Sequence, residues 1–446
     1  MPHRPPEADA VEGEAAAPLA PGPVAPEPVA PGPATRSLAG KAHAPWSEVC
    51  LLAALSMFGS VAMDMYLPAL PHIAEVLHAS TEAAQATIFV FLFGLAAGQL
   101  VWGPLSDRQG RRRPILLGVT VFVVSTALCA VVTNAWALIG LRLLQAVGAC
   151  AGMVIARAVV RDRYEDHEVL HVFSLLTLVF GLAPVLAPLV GGWVMAVAGW
   201  RAIFGVQAAF GLLVGVLAFR FLPESRSEAT RIKAMGERTW RSYWELIRQR
   251  RLLGYLLTGS LSGASLFSYV TAAPAVVIGT FHIPPAHFGW VFGANAVGLI
   301  GAGQLNARLA RRIYPERLLL TALIGSLAAS AVLAFDAYTR FGGLWGVLLP
   351  LFLVIAGFGM SQPNASTEAM KVDRTRAGGT AALLGFSSFG VGALAGAAQA
   401  LVPGGPVHGM AVVILAALAG ALLAYQLAVR GPDARLRRAQ AGASAA

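Results

Sequence analysis

The sequence predicts an all-α membrane protein of twelve transmembrane helices in two pseudo-symmetric six-helix bundles. Hydrophobic residues make up 57% of the 446 and charged residues 13%, with a mean hydropathy of +0.66, which is more apolar surface than a soluble domain can bury. Apolar segments of bilayer-spanning length recur along the chain between short polar turns. A charged turn, GPLSDRQGRR at 103–112, returns without gaps as GQLNARLARR at 303–312, each copy following the second long segment of its half. In the second copy Asp107 is replaced by Ala307 and Gly110 by Ala310.

Taken in order, residues 1–45 carry a Pro- and Ala-rich tract that cannot form a packed core and predict a disordered cytoplasmic tail. It has no apolar core of a cleavable signal, so the first helix is the expected insertion signal. An N-terminal bundle over 46–222 comprises helices at Ser47–Leu70, Thr81–Gly103, Pro114–Thr133, Ala135–Val159, Val169–Ala198 and Ala202–Leu222. Pro223 stops the sixth. Residues 223–251 form a cytoplasmic linker with eight Lys or Arg against four Glu. Within it Trp240, Tyr243, Trp244 and Ile247 repeat at helical spacing, the pattern of an amphipathic helix on the membrane face or of a solvated linker with chance aromatics. A C-terminal bundle over 252–429 has helices at Leu252–Ile278, His287–Leu309, Glu316–Phe335, Gly342–Met370, Gly378–Val402 and Pro406–Val429, and a basic tail fills 430–446.

The net charge of +10 falls in loops on one face of this topology, the positive-inside pattern, and places both termini in the cytoplasm. No compact basic domain exists to bind nucleic acid. Cys50, Cys129 and Cys150 lie in apolar spans without metal spacing, so no metal and no cofactor is expected. No HExxH, GxSxG or GxxxxGK[ST] supports an enzyme or an ATP-driven pump.

Charged groups within spans are costly and therefore informative. Asp64, in MDMYLPALP, is the acidic residue well inside a span, placed to bind and release a proton or to hold a local structure before Pro68. Arg142 is the matching cation, with Gln145 on the same helix face, and reads as a coupling residue or as a backbone clamp. The turn residues Gly103, Asp107, Arg108, Gly110, Arg111 and Arg112 form a candidate conformational latch. Gly181, Pro184, Pro188, Gly191 and Gly192 form a candidate hinge or a packing face. Met57, Met63, Tyr66, Phe267 and Tyr269 are candidates to line an adaptable apolar cavity, or core residues. Gln362, Asn364 and Glu368, around Pro363, are candidate cytoplasmic gate contacts.

On these residues the chain resembles the major facilitator superfamily. The 103–113 turn is similar to its loop 2–3 motif, Arg142 to Gln145 to its helix 4 arginine motif, and 181–192 to its helix 5 proline-glycine motif of antiporters. MDMYLPALP at 63–71, GMVIARAVVRD at 152–162, APVLAPLVGGW at 183–193 and GWRAIF at 199–204 resemble the bicyclomycin and chloramphenicol resistance branch of drug:proton antiporters. The resemblance spans about Trp46 to Val429. Ala146 and Ala183 depart from the glycines usual in the helix 4 and helix 5 motifs.

The resemblance implies an inner-membrane transporter, a monomer in the lipid bilayer, exporting small, mostly apolar compounds in exchange for protons. Two other readings stand beside it: a proton-coupled metabolite exporter or permease of the same fold, and a non-transporting membrane sensor or enzyme.

Overall fold

The computed structural model describes residues 46–164, 166–228, 230–232, 239–373 and 376–430. The expected N-terminal tail and nearly all of the basic C-terminal tail lie outside them. Twelve long helical segments are described. α1 runs as Trp46–Ser56 and Phe58–Val76, bent by 44°. The Ser56 hydroxyl, bonded back to the Leu52 carbonyl at 2.9 Å, sits at the bend, where such bonds curve helices. α2 is Thr81–Gln109, α3 Arg112–Val131, α4 Ala135–Arg163, α5 Asp166–Ala198 and α6 Trp200–Phe221. After a short linker helix, Thr239–Ile247, come α7 Arg250–Thr280, α8 Pro285–Leu309, α9 Pro315–Thr339, α10 Gly343–Val372, α11 Ala377–Leu401 and α12 Pro406–Val429.

The helix starts are written locally. Ser80 and Asn134 cap α2 and α4 by accepting from the backbone N–H of Ala83 and Trp136. Pro285, Pro315 and Pro406 open α8, α9 and α12, where a missing N–H costs nothing.

Small residues set the packing, as expected where lipid gives helices no hydrophobic drive to associate. Gly152 of α4 faces the Leu55 carbonyl of α1, and Gly148 faces the backbone of α3 at Phe122, positions where a methyl group would collide. Between the bundles, α2 packs on α11 and α5 on α8. Because the repeat relates helix 2 to helix 8 and helix 5 to helix 11, these are one interface used twice about a pseudo-two-fold axis.

The bundles meet tightly on the face opposite the arginine-rich turns. There Gly191 of α5 abuts the Met65 backbone, and a methyl added at Gly192 would lie 3.1 Å from the Pro285 carbonyl of α8. On the arginine-rich face they part around a cavity of about 860 Å³. It is walled by α2, α4, the start of α11 and the linker helix. A smaller pocket of about 270 Å³ lies on the opposite face, between the start of α2 at Thr81 and Gln85 and the end of α11 at Gln399.

The linker helix divides the aromatic stripe read from the sequence. Tyr243 and Leu246 are buried against α7 and α11, whereas Trp240 and Trp244 are exposed. Glu245 pairs with Arg376 at 2.8 Å, tying this helix to the start of α11.

Candidate functional site

Arg142 is fully buried on α4 and forms the centre of a polar node. Its guanidinium donates to the Ala62 carbonyl of α1 at 2.9 Å and to Gln145 Oε1 at 2.5 Å. Gln145 Nε2 in turn donates to Thr126 Oγ1 of α3 at 2.8 Å and Gln207 Oε1 of α6 at 3.0 Å. Gln207 Nε2 returns to α1 at the Val61 carbonyl, 3.2 Å. Four helices are thus joined by one network.

The rings of Tyr66 and Phe91 lie 4.5 and 4.3 Å from the guanidinium carbon, sandwiching a charge that water does not reach. Arg142 Nε and Nη2 have no hydrogen-bond partner among the described residues. The sequence reading singled out Arg142 and Gln145 but missed Gln207 and Thr126. An isolated glutamine in an apolar span was the available signal for Gln207.

Asp64 is buried two residues beyond Ala62. No hydrogen bond or ion pair joins it to a described residue, Arg142 included. The arginine grips the backbone next to the carboxylate rather than the carboxylate itself. Across the bundle interface, Tyr269 of α7 lies within electrostatic range of Asp64 and accepts a hydrogen bond from Asn295 Nδ2 of α8 at 3.1 Å.

The charged turn is mostly helix. α2 continues through Pro104 to Gln109, with the Ser106 hydroxyl bonded to the Gly103 carbonyl, so only Gly110 and Arg111 separate α2 from α3. Gly110 has φ +91°, a conformation that disfavours any side chain. Arg111 donates to Asp107 at 2.7 Å, to Ser106 at 2.8 Å and to Asp162 of α4 at 2.7 Å. Arg226 adds a second pairing to Asp107 at 3.0 Å.

Glu224, just after α6, accepts from the backbone N–H of Arg111 at 2.7 Å and of Arg112 at 3.2 Å. Partial desolvation opposes its charge. The backbone donors of Arg111, Arg226 and Arg112, helped by the Arg231 charge, nonetheless hold the carboxyl below the usual range. Arg112 packs its guanidinium against Phe219 and donates to the Phe219 carbonyl. Arg108 reaches toward Thr239 of the linker helix, 3.5 Å away. Asp162, Glu224 and Arg226 were not among the sequence candidates, because their role depends on which chain ends meet. The second copy of the motif is built without carboxylates, Asn306 Oδ1 accepting from Asn364 Nδ2 at 2.7 Å.

The remaining candidates are scattered. Gln362 donates to Ser388 at 3.3 Å, and Glu368 pairs with Lys371 at 2.6 Å. With Asn364, these contacts stay within the C-terminal bundle. Met63, Tyr66 and Tyr269 are buried in the core, Met57 and Phe267 are half-buried beside it, and Phe267 rests on Phe389. They do not converge on one chamber. α5 passes through Gly181, Pro184 and Pro188 as a single helix and presents Gly191 and Gly192 to its partners.

Residues 49–397 match the Major Facilitator Superfamily. The chain is 35% identical over 339 residues to the uncharacterized MFS-type transporter YdgK of Bacillus subtilis (strain 168), covering 75% of this chain and 84% of the relative. It is 33% identical over 348 residues to the bicyclomycin resistance protein homolog of Haemophilus influenzae, covering 78% and 87%. The crystal structure of a D-xylose-proton symporter shares the fold with a TM-score of 0.68 at 14% identity, over 84% of this chain and 97% of the other. The chain belongs to the Major Facilitator Superfamily, in its bicyclomycin and chloramphenicol resistance branch, and is a multi-pass membrane transporter rather than an enzyme.

Proposed function

We propose that this protein exports small, mostly apolar toxic compounds in exchange for protons, as a monomer in the inner membrane with both termini cytoplasmic. The carrying observation is the buried node that fixes α1 through Arg142 immediately beside Asp64, which pairs with no described residue. A carboxylate without a hydrogen-bond or ion-pair partner among the described residues, next to the bundle interface, can exchange its proton when the bundles rock and its surroundings change. The larger cavity lies on the arginine-rich face, while Gly191 and Gly192 pack closely toward the opposite one, as expected of an exporter loading from the cytoplasm. The cluster around Arg111 serves as the latch of the inner side, and the smooth α5 face as the surface on which the bundles move. Gln362, Asn364 and Glu368 contribute to the inner gate from the C-terminal bundle, and the methionines and aromatics soften the walls.

Deletion and overexpression followed by an antimicrobial panel, with and without a protonophore, test this reading. Resistance that rises with expression and collapses with the protonophore is expected. Growth on single substrates that depends on the protein, without any resistance, would instead establish the metabolite-transporter alternative.

A further inference from the structure

The cavity between the bundles is far from neutral. Among the described residues seven arginines line it against three carboxylates. All three carboxylates are already paired. Asp107 and Asp162 are held by Arg111, each at 2.7 Å, and Glu245 is held by Arg241 at 2.9 Å and Arg376 at 2.8 Å. Arg226 also pairs with Asp107 and Arg108 reaches Thr239, whereas Arg157 and Arg161, one turn apart on α4 and exposed to the cavity, have no carboxylate in ion-pair range among the described residues.

Basic residues at helix ends in the headgroup zone follow from the positive-inside rule. Arg157 does not fit that account. It lies six residues before the end of α4 at Arg163, about 9 Å inward. Two like charges in one wall repel each other, more strongly there than in bulk water. A counter-charge supplied from outside the chain would relieve this.

We propose that Arg157 and Arg161 form an anion site in the cavity, which takes a phosphate or carboxylate group carried on a short apolar chain. Guanidinium forks match the oxygens of these groups, and Val154, Ala158, Ala381 and Ala382 supply an adjoining apolar wall. The excess positive charge raises the local concentration of anions and disfavours cationic compounds. The inference rests on the transport reading only in that an inward-open cavity is where a cytoplasmic compound enters. The anion has two possible sources, a soluble amphiphile destined for export and an acidic lipid headgroup.

The test is calorimetric titration of the full-length protein in phosphatidylcholine nanodiscs with hexyl phosphate and, separately, with hexyltrimethylammonium. Hexyl phosphate is expected to bind and the cation is not. Arg157→Gln and Arg161→Gln should each weaken hexyl phosphate by about tenfold, the worth of a charge-assisted hydrogen bond, while Arg157→Lys, which keeps the charge and loses the fork, weakens it less than Arg157→Gln does. Repeating the titration in phosphatidylglycerol nanodiscs separates the sources. Competition by the lipid assigns the site to a headgroup, and unchanged affinity assigns it to a soluble amphiphile. Absence of hexyl phosphate binding, equal binding of the cation, or undiminished binding by both glutamine variants would overturn the proposal. Protonophore-sensitive resistance is a separate readout, so loss of the anion site and loss of the export reading are told apart.

Discussion

The Arg142 guanidinium and the Ala62 carbonyl meet at 2.9 Å, two residues short of Asp64. Helix α4 thereby holds the backbone that carries the carboxylate without neutralising the carboxylate. In this geometry the arginine is bound to backbone and to Gln145, and not to the carboxylate.

Asp64→Asn should abolish proton-driven efflux and leave substrate binding in place. The amide keeps the shape and cannot ionise. Proton release on substrate addition is the measurement, and release equal to wild type would move the carrier elsewhere, with Glu368 next to examine.

Arg142→Lys should fail nearly as completely as Arg142→Ala, because a lysine cannot fill the flat space between Tyr66 and Phe91 while reaching both Ala62 and Gln145. Gln207→Leu removes the bond to Val61 and one acceptor for Gln145, at a cost of about 1–3 kcal/mol. Thermal unfolding in detergent should therefore show a lower midpoint for Gln207→Leu, with transport reduced rather than lost.

Asp107→Asn and Arg112→Ala should impair transport with membrane insertion largely intact. Ala307→Asp should not rescue the former, since Asn306 and Asn364 occupy that end of the second bundle in a neutral pairing. Normal efflux by Asp107→Asn at equal expression would remove the latch role.

Glu224 gives the turn between α2 and α3 a pH dependence whose direction follows from its backbone donors. Its folded carboxyl ionises below its ordinary value of 4.5, so the folded state binds fewer protons there than the unfolded one. The stabilisation is present above the ordinary carboxylate range and is lost as pH falls through the lowered value. Glu224→Gln should mimic acid conditions. Protease nicking near Gly110, by an acid-active protease at a pH below the ordinary carboxylate value of 4.5 and again well above it, should increase in the wild type on acidification and be high at both for the variant.

Gly191→Val should block assembly or transport, because the Met65 backbone occupies the space a side chain needs. Val at Gly199, where no neighbour lies within 4 Å, is the contrast: its cost comes from the positive φ of 76° and not from a clash. Fluorescence-detected size exclusion of the two variants should show loss of the folded peak for the first and a milder shift in thermal midpoint for the second.

The sequence by itself determined the twelve-helix fold, the duplication and which polar residues stand inside single apolar helices. Apolar runs of fixed length and a repeated ten-residue turn are local and periodic, and Asp64 and Arg142 declare themselves because charge in an apolar span is expensive. It also led to the superfamily and its resistance branch. Tertiary structure decided the rest. That Arg142 takes a backbone carbonyl, that Gln207 closes its network, that Glu224 caps the turn between α2 and α3, and that Arg157 faces a cavity with no carboxylate in ion-pair range among the described residues depend on contacts between residues up to 146 positions apart. Local periodicity carries no record of which helix faces meet. The same reason explains the motif's extent: a charged stretch reads as a loop by composition, but α2 runs on to Gln109 with its Asp107 paired by Arg111 of the turn and Arg226 of the linker.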